Sequence, residues 1–229
     1  MASLILIGGG PGIGAAVTRQ CVDDGAPVGL LARSSASIDR IAQSLRARGS
    51  RVATRRADVA EEAELTSAID GLVDELGVPQ LLVYNAGLIR ADKPGELGYA
   101  EHLRAYAINV LGAMHAVTRL APAMASAGGG TVIITGGMPR PEASHVSLSL
   151  GKVGVRALTA MLAETYGPRG VHVATVTVCG AVTPGGRFDP DEIAATYRRL
   201  HEQTIDEWEH EVAYTGRLTG LPGAAEVTG

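Results

Sequence analysis

Short apolar runs alternate along the chain with longer segments in which apolar residues recur at helical spacing. This alternation is typical of βαβ units. Two of the runs, Leu81–Val83 and Val132–Ile134, are continuously apolar, as expected of strands that helices cover on both faces. The sequence therefore predicts an α/β protein with a doubly wound parallel β-sheet. The predicted strands are Leu4–Ile7, Pro27–Leu31, Arg51–Arg55, Gln80–Tyr84, Thr131–Thr135 and Val171–Val178.

A seventh strand is predicted near the end of the chain. Residues Trp208–Tyr214 alternate with a period of two, which indicates an edge strand with one face toward water. From Thr215 onward the glycines leave little periodicity, so 1–214 is predicted as a single domain and 215–229 as a flexible tail. The predicted helices are Gly12–Asp24, Ser35–Arg48, Glu61–Leu76, Tyr99–Ser126, Leu148–Tyr166 and Asp189–Gln203.

Composition narrows the class of protein. The 229 residues fit one domain, and 46% apolar against 19% charged residues indicates a globular chain. The net charge is −4 and the basic residues are scattered, so nucleic acid is not an expected partner. No apolar run approaches the roughly 20 residues of a membrane span, and the short apolar start Leu4–Ile7 is too brief for a signal sequence. Two distant cysteines, Cys21 and Cys179, suit a reducing cytoplasm, and no metal site is indicated.

A glycine-rich loop follows the first predicted strand and opens the first helix. It comprises Gly8, Gly9, Gly10, Pro11, Gly12, Ile13 and Gly14. Glycines let a diphosphate approach the backbone, and the amides at the helix start face the anion. We therefore predict a dinucleotide-binding loop with Gly8, Gly10, Gly12, Ile13 and Gly14 as contacts. The alternative is a turn that only packs closely.

The ends of the second and third strands carry candidate adenosine contacts. A fold that prefers NAD usually places an acidic residue after the second strand, but here Arg33 and Ser34 occur. A guanidinium pairs well with a 2′-phosphate, so NADP(H) is favoured over NAD(H); alternatively, Arg33 is a solvated surface residue. Asp58 and the following Val59 lie where the protein would contact the adenine amino group of the cofactor. Alternatively, Asp58 caps the next helix.

These residues and others make the chain resemble the short-chain dehydrogenase/reductase family between Ser3 and Pro184. The resemblance implies a Rossmann fold that binds a nicotinamide cofactor. It also implies that Asn109 supports a water chain and that Lys152 binds the nicotinamide ribose. The matching positions are Gly8-x-x-x-Gly12-Ile13-Gly14, Asp58, Asn85-Ala86-Gly87, Asn109 and Lys152.

The catalytic half of the family pattern is altered. The Tyr-x-x-x-Lys motif of the family begins here with Leu148, so the phenol that exchanges a proton with substrate is missing. The supporting serine falls near Thr135, which is followed by Gly136 and Gly137. The Pro-Gly motif after the sixth strand becomes Cys179-Gly180. By the same resemblance, Thr183 takes the place of the threonine that contacts the nicotinamide carboxamide. The spacing between the Cys179-Gly180 pair and this threonine is one residue shorter than in the family.

A different proton donor is then needed. His145 has the most suitable pKa range, although a loop histidine is more often a surface residue. Water held by Lys152, Asn109 and Thr135 is the other candidate. Ser147 and Ser149 are interpreted as a helix cap and a first-turn polar residue. The segment that begins at Phe188–Ile193 is predicted to form a lid over the substrate and carries Tyr197.

Two functions remain open from the sequence. The first is an NADP(H)-dependent oxidoreductase that acts on a small carbonyl or alcohol with a non-standard proton donor. The second is a cofactor-binding protein without redox activity, either a regulatory or partner subunit or a non-redox enzyme. The helices Tyr99–Ser126 and Leu148–Tyr166 are apolar around much of their circumference, which predicts self-association. The family resemblance implies a homodimer or homotetramer through these helices.

Overall fold

A computed structural model describes residues 3–23 and 25–216 of the chain. It contains one seven-stranded parallel sheet in the order β3-β2-β1-β4-β5-β6-β7, which confirms the predicted fold class. Residues 217–229, the larger part of the predicted tail, lie outside the described residues. The strands are β1 (Leu4–Ile7), β2 (Val28–Ala32), β3 (Val52–Arg56), β4 (Leu81–Tyr84), β5 (Gly130–Thr135), β6 (Val171–Val178) and β7 (Glu211–Tyr214).

The helices follow the prediction with changes at their ends. The first helix stops at Gln20, four residues early, and the last strand begins at Glu211 rather than Trp208. The helices are α1 (Ile13–Gln20), α2 (Ser35–Ala47), α3 (Glu62–Leu76), α4 (Tyr99–Tyr106), α5 (Gly112–Ser126), α6 (Val146–Tyr166) and α7 (Pro190–Glu202). A π-helical turn (Ala107–Leu111) joins α4 to α5, and short 3₁₀ turns lie at Gly167–Arg169 and Ile205–Glu207.

Two apolar layers enclose the sheet. Alternate residues of β1 point to opposite faces: Leu4 and Leu6 to one, Ile5 and Ile7 to the other. On the first face they pack with side chains from α1, α2 and α7, and on the second with side chains from α3, α5 and α6. Every residue of β6 is buried, as expected of a strand that helices cover on both faces.

The predicted lid is wrong, because α7 belongs to one of these two layers. Ile193, Ala194, Tyr197 and Leu200 are fully buried in the cluster that covers the α1 side of the sheet. The apolar side of this helix therefore faces the core rather than a substrate cleft. The 181–187 connection that precedes it is almost entirely exposed.

The π-helical turn has a long-range cause that the periodicity of this helix did not reveal. The Tyr84 hydroxyl at the end of β4 donates to the Ile108 carbonyl at 2.6 Å, so this carbonyl has a partner outside the helix. Gly112 makes room for the phenol, since a Cβ there would lie 2.4 Å from the Tyr84 oxygen. The predicted single helix over 99–126 is therefore interrupted by a π-helical turn that contains Asn109.

One helical stretch among the described residues, Val146–Arg169, is long and apolar enough to cross a membrane. It consists of α6 and the 3₁₀ turn that follows. Val155, Leu158 and Leu162 on its inner side are buried in the core cluster, and the helix packs against β6. Its apolar character is thus that of a core helix.

Candidate active site

The glycine loop follows β1, at the point between β1 and β4 where the strand order reverses. Ligands of open α/β sheets bind at this point. Gly8 adopts a φ of +93° and lies against the chain after β4, because a Cβ on it would be 2.3 Å from the Ala86 nitrogen. A Cβ on Gly10 or Gly12 would meet nothing within 4 Å, so the outer side of the loop is open.

The start of α1 is prepared for an anion. Gly12 is its N-cap, no side chain caps the helix, and its first turn contains no acidic residue. The Ala15 amide donates to the Gly10 carbonyl at 3.0 Å, so the amides of Ile13 and Gly14 and the positive end of the helix dipole are what this helix start offers to an anion. This arrangement fits the diphosphate of a dinucleotide.

A cavity of about 240 Å³ adjoins the loop at the carboxyl ends of β1, β2 and β4. Seven predicted contacts line it, and eight do not: Gly10, Gly12, Ile13, Gly14, Asp58, Lys152, Gly180 and Thr183. The lining residues that were not predicted are Gly9, Ala32, Ser37, Ala57, Leu88 and Ile108. Ser37 was recognisable as the residue one helical turn after Ser34. The full lining is Gly8, Gly9, Ala32, Arg33, Ser34, Ser37, Ala57, Val59, Asn85, Ala86, Gly87, Leu88 and Ile108.

Arg33 and Ser34 meet the requirement for a phosphate contact. Arg33 is exposed, and no residue of the described ranges 3–23 and 25–216 forms a hydrogen bond with its guanidinium. Ser34 is the N-cap of α2, but its side chain makes no capping hydrogen bond. Both side chains are therefore available to a ligand in the cavity.

Asp58 is already held by the protein. Its carboxylate accepts hydrogen bonds from the Ala60 amide at 3.0 Å and from Arg104 at 2.5 Å. Partial desolvation raises the pKa of Asp58, but these two hydrogen bonds together with the positive charges of Arg104 and Arg33 hold the pKa below its usual value. The N-cap of α3 is Glu61, so Asp58 stabilises the preceding loop rather than serving as the N-cap. The predicted adenine contact stays a prediction.

Asn85 connects the glycine loop to β5. Its amide nitrogen donates to the Gly8 carbonyl at 2.9 Å, and its carbonyl accepts from the Thr135 hydroxyl at 2.9 Å. The Thr135 hydroxyl also contacts the Tyr197 hydroxyl at 2.8 Å. This chain of polar groups ties the loop to α7, on the α1 side of the sheet.

The predicted role of Thr135 as the supporting catalytic hydroxyl does not fit this geometry. Its hydroxyl is engaged by Asn85 and Tyr197, and only its carbonyl oxygen meets Lys152. The position that faces Lys152 is Gly137, where a Cβ would lie 3.7 Å from the lysine Cε. The register of β5 therefore leaves no hydroxyl at the expected position beside the lysine, and the phenol is absent because residue 148 of α6 is leucine.

Lys152, Asn109 and Gly87, which come from three different motifs, lie close together. The Lys152 ammonium donates to the Thr135 carbonyl at 2.7 Å, and a Cβ on Gly87 would lie 3.9 Å from it. Asn109, in the π-helical turn, accepts from the Leu88 amide at 2.9 Å. Burial lowers the pKa of Lys152 to about 8, so this residue exchanges its proton near neutral pH.

Leu148 lies in the first turn of α6, between two serines that bond to other parts of the protein. Leu148 lies one turn before Lys152 on the same side of the helix and is only 6% exposed. The buried Asp92 carboxylate, which sequence reasoning missed, accepts from the Ser147 amide at 3.0 Å and hydroxyl at 2.7 Å. Ser149 bonds to the backbone of Glu142. Both side chains are therefore engaged by the protein. The interpretation of Ser147 as the helix cap is wrong, because His145 is the N-cap of α6 and Ser147 lies inside the first turn, as Ser149 does.

His145 is the N-cap of α6 and is half-buried. Its Nδ1 lies 3.0 Å from the Ser144 hydroxyl and 3.9 Å from a Glu142 carboxylate oxygen. The residue therefore lies in the loop before α6, three residues from Leu148. Its predicted part in proton transfer stays a prediction.

The predicted nicotinamide contacts after β6 lie outside the 240 Å³ cavity. Gly180 lies under the Phe188 ring, where a Cβ would be 2.1 Å from a ring carbon. Thr183 is exposed, and its amide donates to the Phe188 carbonyl. Partial burial and the Glu211 carboxylate raise the pKa of Cys179, which favours the neutral thiol over a nucleophilic thiolate.

The pKa of Lys152 predicts how stability depends on pH. The folded chain releases this proton near pH 8 and the unfolded chain near 10.5. Between these values the unfolded state binds more protons, so wild-type stability should rise with pH relative to Lys152→Met, by up to about 3 kcal/mol. Urea unfolding of both proteins across this range measures the difference. A constant difference would show that burial does not lower this pKa.

Known proteins that resemble this chain in sequence include dehydrogenases. The family model described as short chain dehydrogenase matches residues 3–189. Cis-4-hydroxycyclohexanecarboxylate dehydrogenase of Sinomonas cyclohexanicum is 31% identical over 197 residues, covering 84% of this chain and 78% of that protein. D-threitol dehydrogenase of Mycolicibacterium smegmatis is 29% identical over 215 residues, covering 83% and 82%.

A solved structure shows the same architecture. A metagenomic short-chain oxidoreductase in complex with NADP superposes with a TM-score of 0.83 at 25% identity, over 93% of this chain and 95% of the other. Together with the match over 3–189, the loop at the strand-order reversal and the Asn109–Lys152 pair, this similarity decides the assignment. The chain belongs to the short-chain dehydrogenase/reductase family of oxidoreductases.

Proposed function

We propose that this protein binds NADP(H) and catalyses hydride transfer between it and a small carbonyl or alcohol, with a proton donor other than tyrosine. The observation that carries the proposal is the cavity beside the glycine loop, which has Arg33 and Ser34 at one end and Gly87 at the other. Gly87 adjoins Lys152. The bound cofactor would supply the hydride, and the residues of this chain would orient it and manage the proton.

The backbone amides and side chains of the site would have distinct roles in cofactor binding and proton transfer. The amides at the start of α1 would hold the diphosphate, and Arg33 would pair with the 2′-phosphate. Lys152 would hydrogen-bond the ribose. With a pKa of about 8, Lys152 would also hold the proton that a substrate oxygen requires, directly or through water near Asn109. His145 is the second candidate donor.

The cofactor preference rests on Arg33. Replacing Arg33 by Ala should weaken NADPH binding about 10- to 100-fold, because a charge-assisted bidentate contact is lost, and should change NADH binding much less. Titration of each cofactor, followed by its own fluorescence, measures both constants. Arg46→Ala is the matched control, since Arg46 is an exposed α2 arginine outside the cavity. Equal losses for NADPH and NADH would contradict the assignment.

Redox activity is tested by following absorbance at 340 nm with NADPH and a panel of ketones, aldehydes and quinones. Turnover of any panel member supports the proposal. Binding of NADPH without turnover would instead support the second candidate, a cofactor-binding protein that has lost hydride transfer. That candidate is favoured by Leu148 and Gly137, which leave no phenol or hydroxyl at the expected positions beside Lys152.

We also propose a cytoplasmic homodimer or homotetramer. Eight large apolar side chains are at least two-fifths exposed on the outer sides of neighbouring helical segments. They are Tyr99, Leu103 and Tyr106 on α4, Leu111 at the end of the π-helical turn, Met114 on α5, and Leu150, Val153 and Met161 on α6. A surface of this kind is typical of a contact between subunits.

If this apolar surface is the contact between subunits, a charged side chain placed in it should reduce the mass of the oligomer. Leu150→Glu should shift the protein toward smaller assemblies, because an unpaired carboxylate would be buried in the contact. Light scattering after size-exclusion chromatography measures the mass. Ile205→Glu is the control, since Ile205 is 65% exposed in a 3₁₀ turn outside these helices. An unchanged mass for Leu150→Glu would place the contact elsewhere.

A further inference from the structure

A second cavity, of about 340 Å³, lies between α1 and α2 and is larger than the one beside the glycine loop. We call it the α1–α2 groove. Its polar lining consists of Arg19, Arg40, Arg48, Ser37, Ser44 and Thr18. Its volume is within the range of small-molecule sites. The cofactor contacts proposed above do not account for these arginines.

The groove combines positive charge with an apolar floor. Three guanidinium groups line it, although the whole chain carries a net charge of −4. Ala15, Ile41 and Leu45 contribute apolar surface, and the last two are buried. A ligand that fits both features carries an anionic group on an apolar or ring-shaped body.

The three arginines differ in how far they are engaged. Arg19 pairs with Asp191 at 2.6 Å, and about half of each side chain is exposed. Arg48 donates to the Val22 carbonyl at 3.1 Å, which holds it in place. Arg40 is exposed, and its guanidinium has no hydrogen-bond partner within 3–23 or 25–216. Arg40 is therefore the arginine most available to an incoming anion.

We propose that the α1–α2 groove binds a phosphate ester at a site separate from the cofactor cavity, with Arg40 as its principal contact. One guanidinium group can donate two parallel hydrogen bonds to two oxygens of a phosphate. The hydroxyls of Ser37 and Ser44 can donate to the remaining oxygens. Ser37 lines both cavities, and Pro11 of the glycine loop lines the groove. A ligand in the groove would thus touch the segment that positions the cofactor.

The probe is phenyl phosphate, a phosphate ester with a small ring, titrated calorimetrically into the protein saturated with NADPH. Phenol and inorganic phosphate serve as comparison ligands. The ester should bind more tightly than either of them, because only it uses the arginines and the apolar floor together. Arg40→Ala should weaken binding of the ester about 10-fold or more. Arg40→Lys, which keeps the charge but loses the paired donors, should have an intermediate effect.

Arg33→Ala provides the matched control. It should leave the affinity for phenyl phosphate unchanged, measured without cofactor, while NADPH binding falls. Thermal unfolding of each variant verifies that the fold is retained. The proposal is overturned if the ester does not bind at millimolar concentration, or if Arg40→Ala binds it as well as wild type. It is also overturned if Arg33→Ala rather than Arg40→Ala removes binding, since the ester would then occupy the cofactor cavity.

Discussion

Replacing Leu148 by Tyr is expected to create or raise carbonyl reductase activity by about 10²- to 10⁴-fold, the usual contribution of a positioned acid–base group. Residue 148 lies one helical turn before Lys152 and on the same side of α6. The ammonium of Lys152 would lower the pKa of the new phenol, as an adjacent positive charge does. The measurement is kcat/KM for NADPH-dependent reduction of the ketones and aldehydes in the panel.

Leu148→Phe is the control for this experiment, because it adds the ring without the hydroxyl. Its activity should stay at the wild-type level, and the double variant Leu148→Tyr, Lys152→Met should lose most of the gain. If Leu148→Tyr binds NADPH but reduces nothing, the pocket differs from a reductase site in more than the missing phenol. The glycine at 137, which faces Lys152, is then the first residue to consider.

Gly8→Ala is expected to destabilise the protein by about 3 kcal/mol or more and to abolish cofactor binding. The new Cβ would lie 2.3 Å from the Ala86 nitrogen and 2.6 Å from its Cα, so backbone has to move. The φ of +93° adds strain that glycine does not have. Overpacking costs about 1–3 kcal/mol and the left-handed conformation about 1–2 kcal/mol. Urea unfolding measures the loss.

Gly10→Ala is the matched control in the same loop. A Cβ on Gly10 would meet nothing within 4 Å, and the residue does not have a positive φ. Its stability should stay within about 0.5 kcal/mol of wild type, as for surface substitutions. If both variants unfold at the same urea concentration, the close approach between the loop and Ala86 does not determine stability.

The fold could be predicted because the inner strands of a covered parallel sheet are apolar runs. The runs at Leu81–Tyr84 and Val171–Val178 are fully buried and identified two central strands. The π-helical turn could not be predicted. It depends on a hydrogen bond between Tyr84 and Ile108, which are 24 residues apart and meet only after β4 and the helix have packed.

The site could be predicted in part. The family motifs identified Gly87, Asn109 and Lys152 as candidates, and the structure brings these three residues together, while their roles stay predictions. The direction of the Thr135 side chain depended on the register of β5, since successive residues of a strand face opposite sides. Asp92 escaped notice because a single acidic residue in a loop has no local pattern. Tyr197 was assigned to a lid because an amphipathic helix does not reveal which surface its apolar side covers.

The π-helical turn limits how this chain can be recombined with its relatives. Adding or removing one residue between 107 and 111 would rotate α4 by about 100° relative to α5. Such a rotation would carry Leu103 and Tyr106 off the exposed side on which they now lie. Chimeras should therefore exchange 99–126 as one block, together with the tyrosine at 84 that bonds to this turn. A junction between 84 and 112 would separate the phenol from the carbonyl or from the glycine that accommodates it.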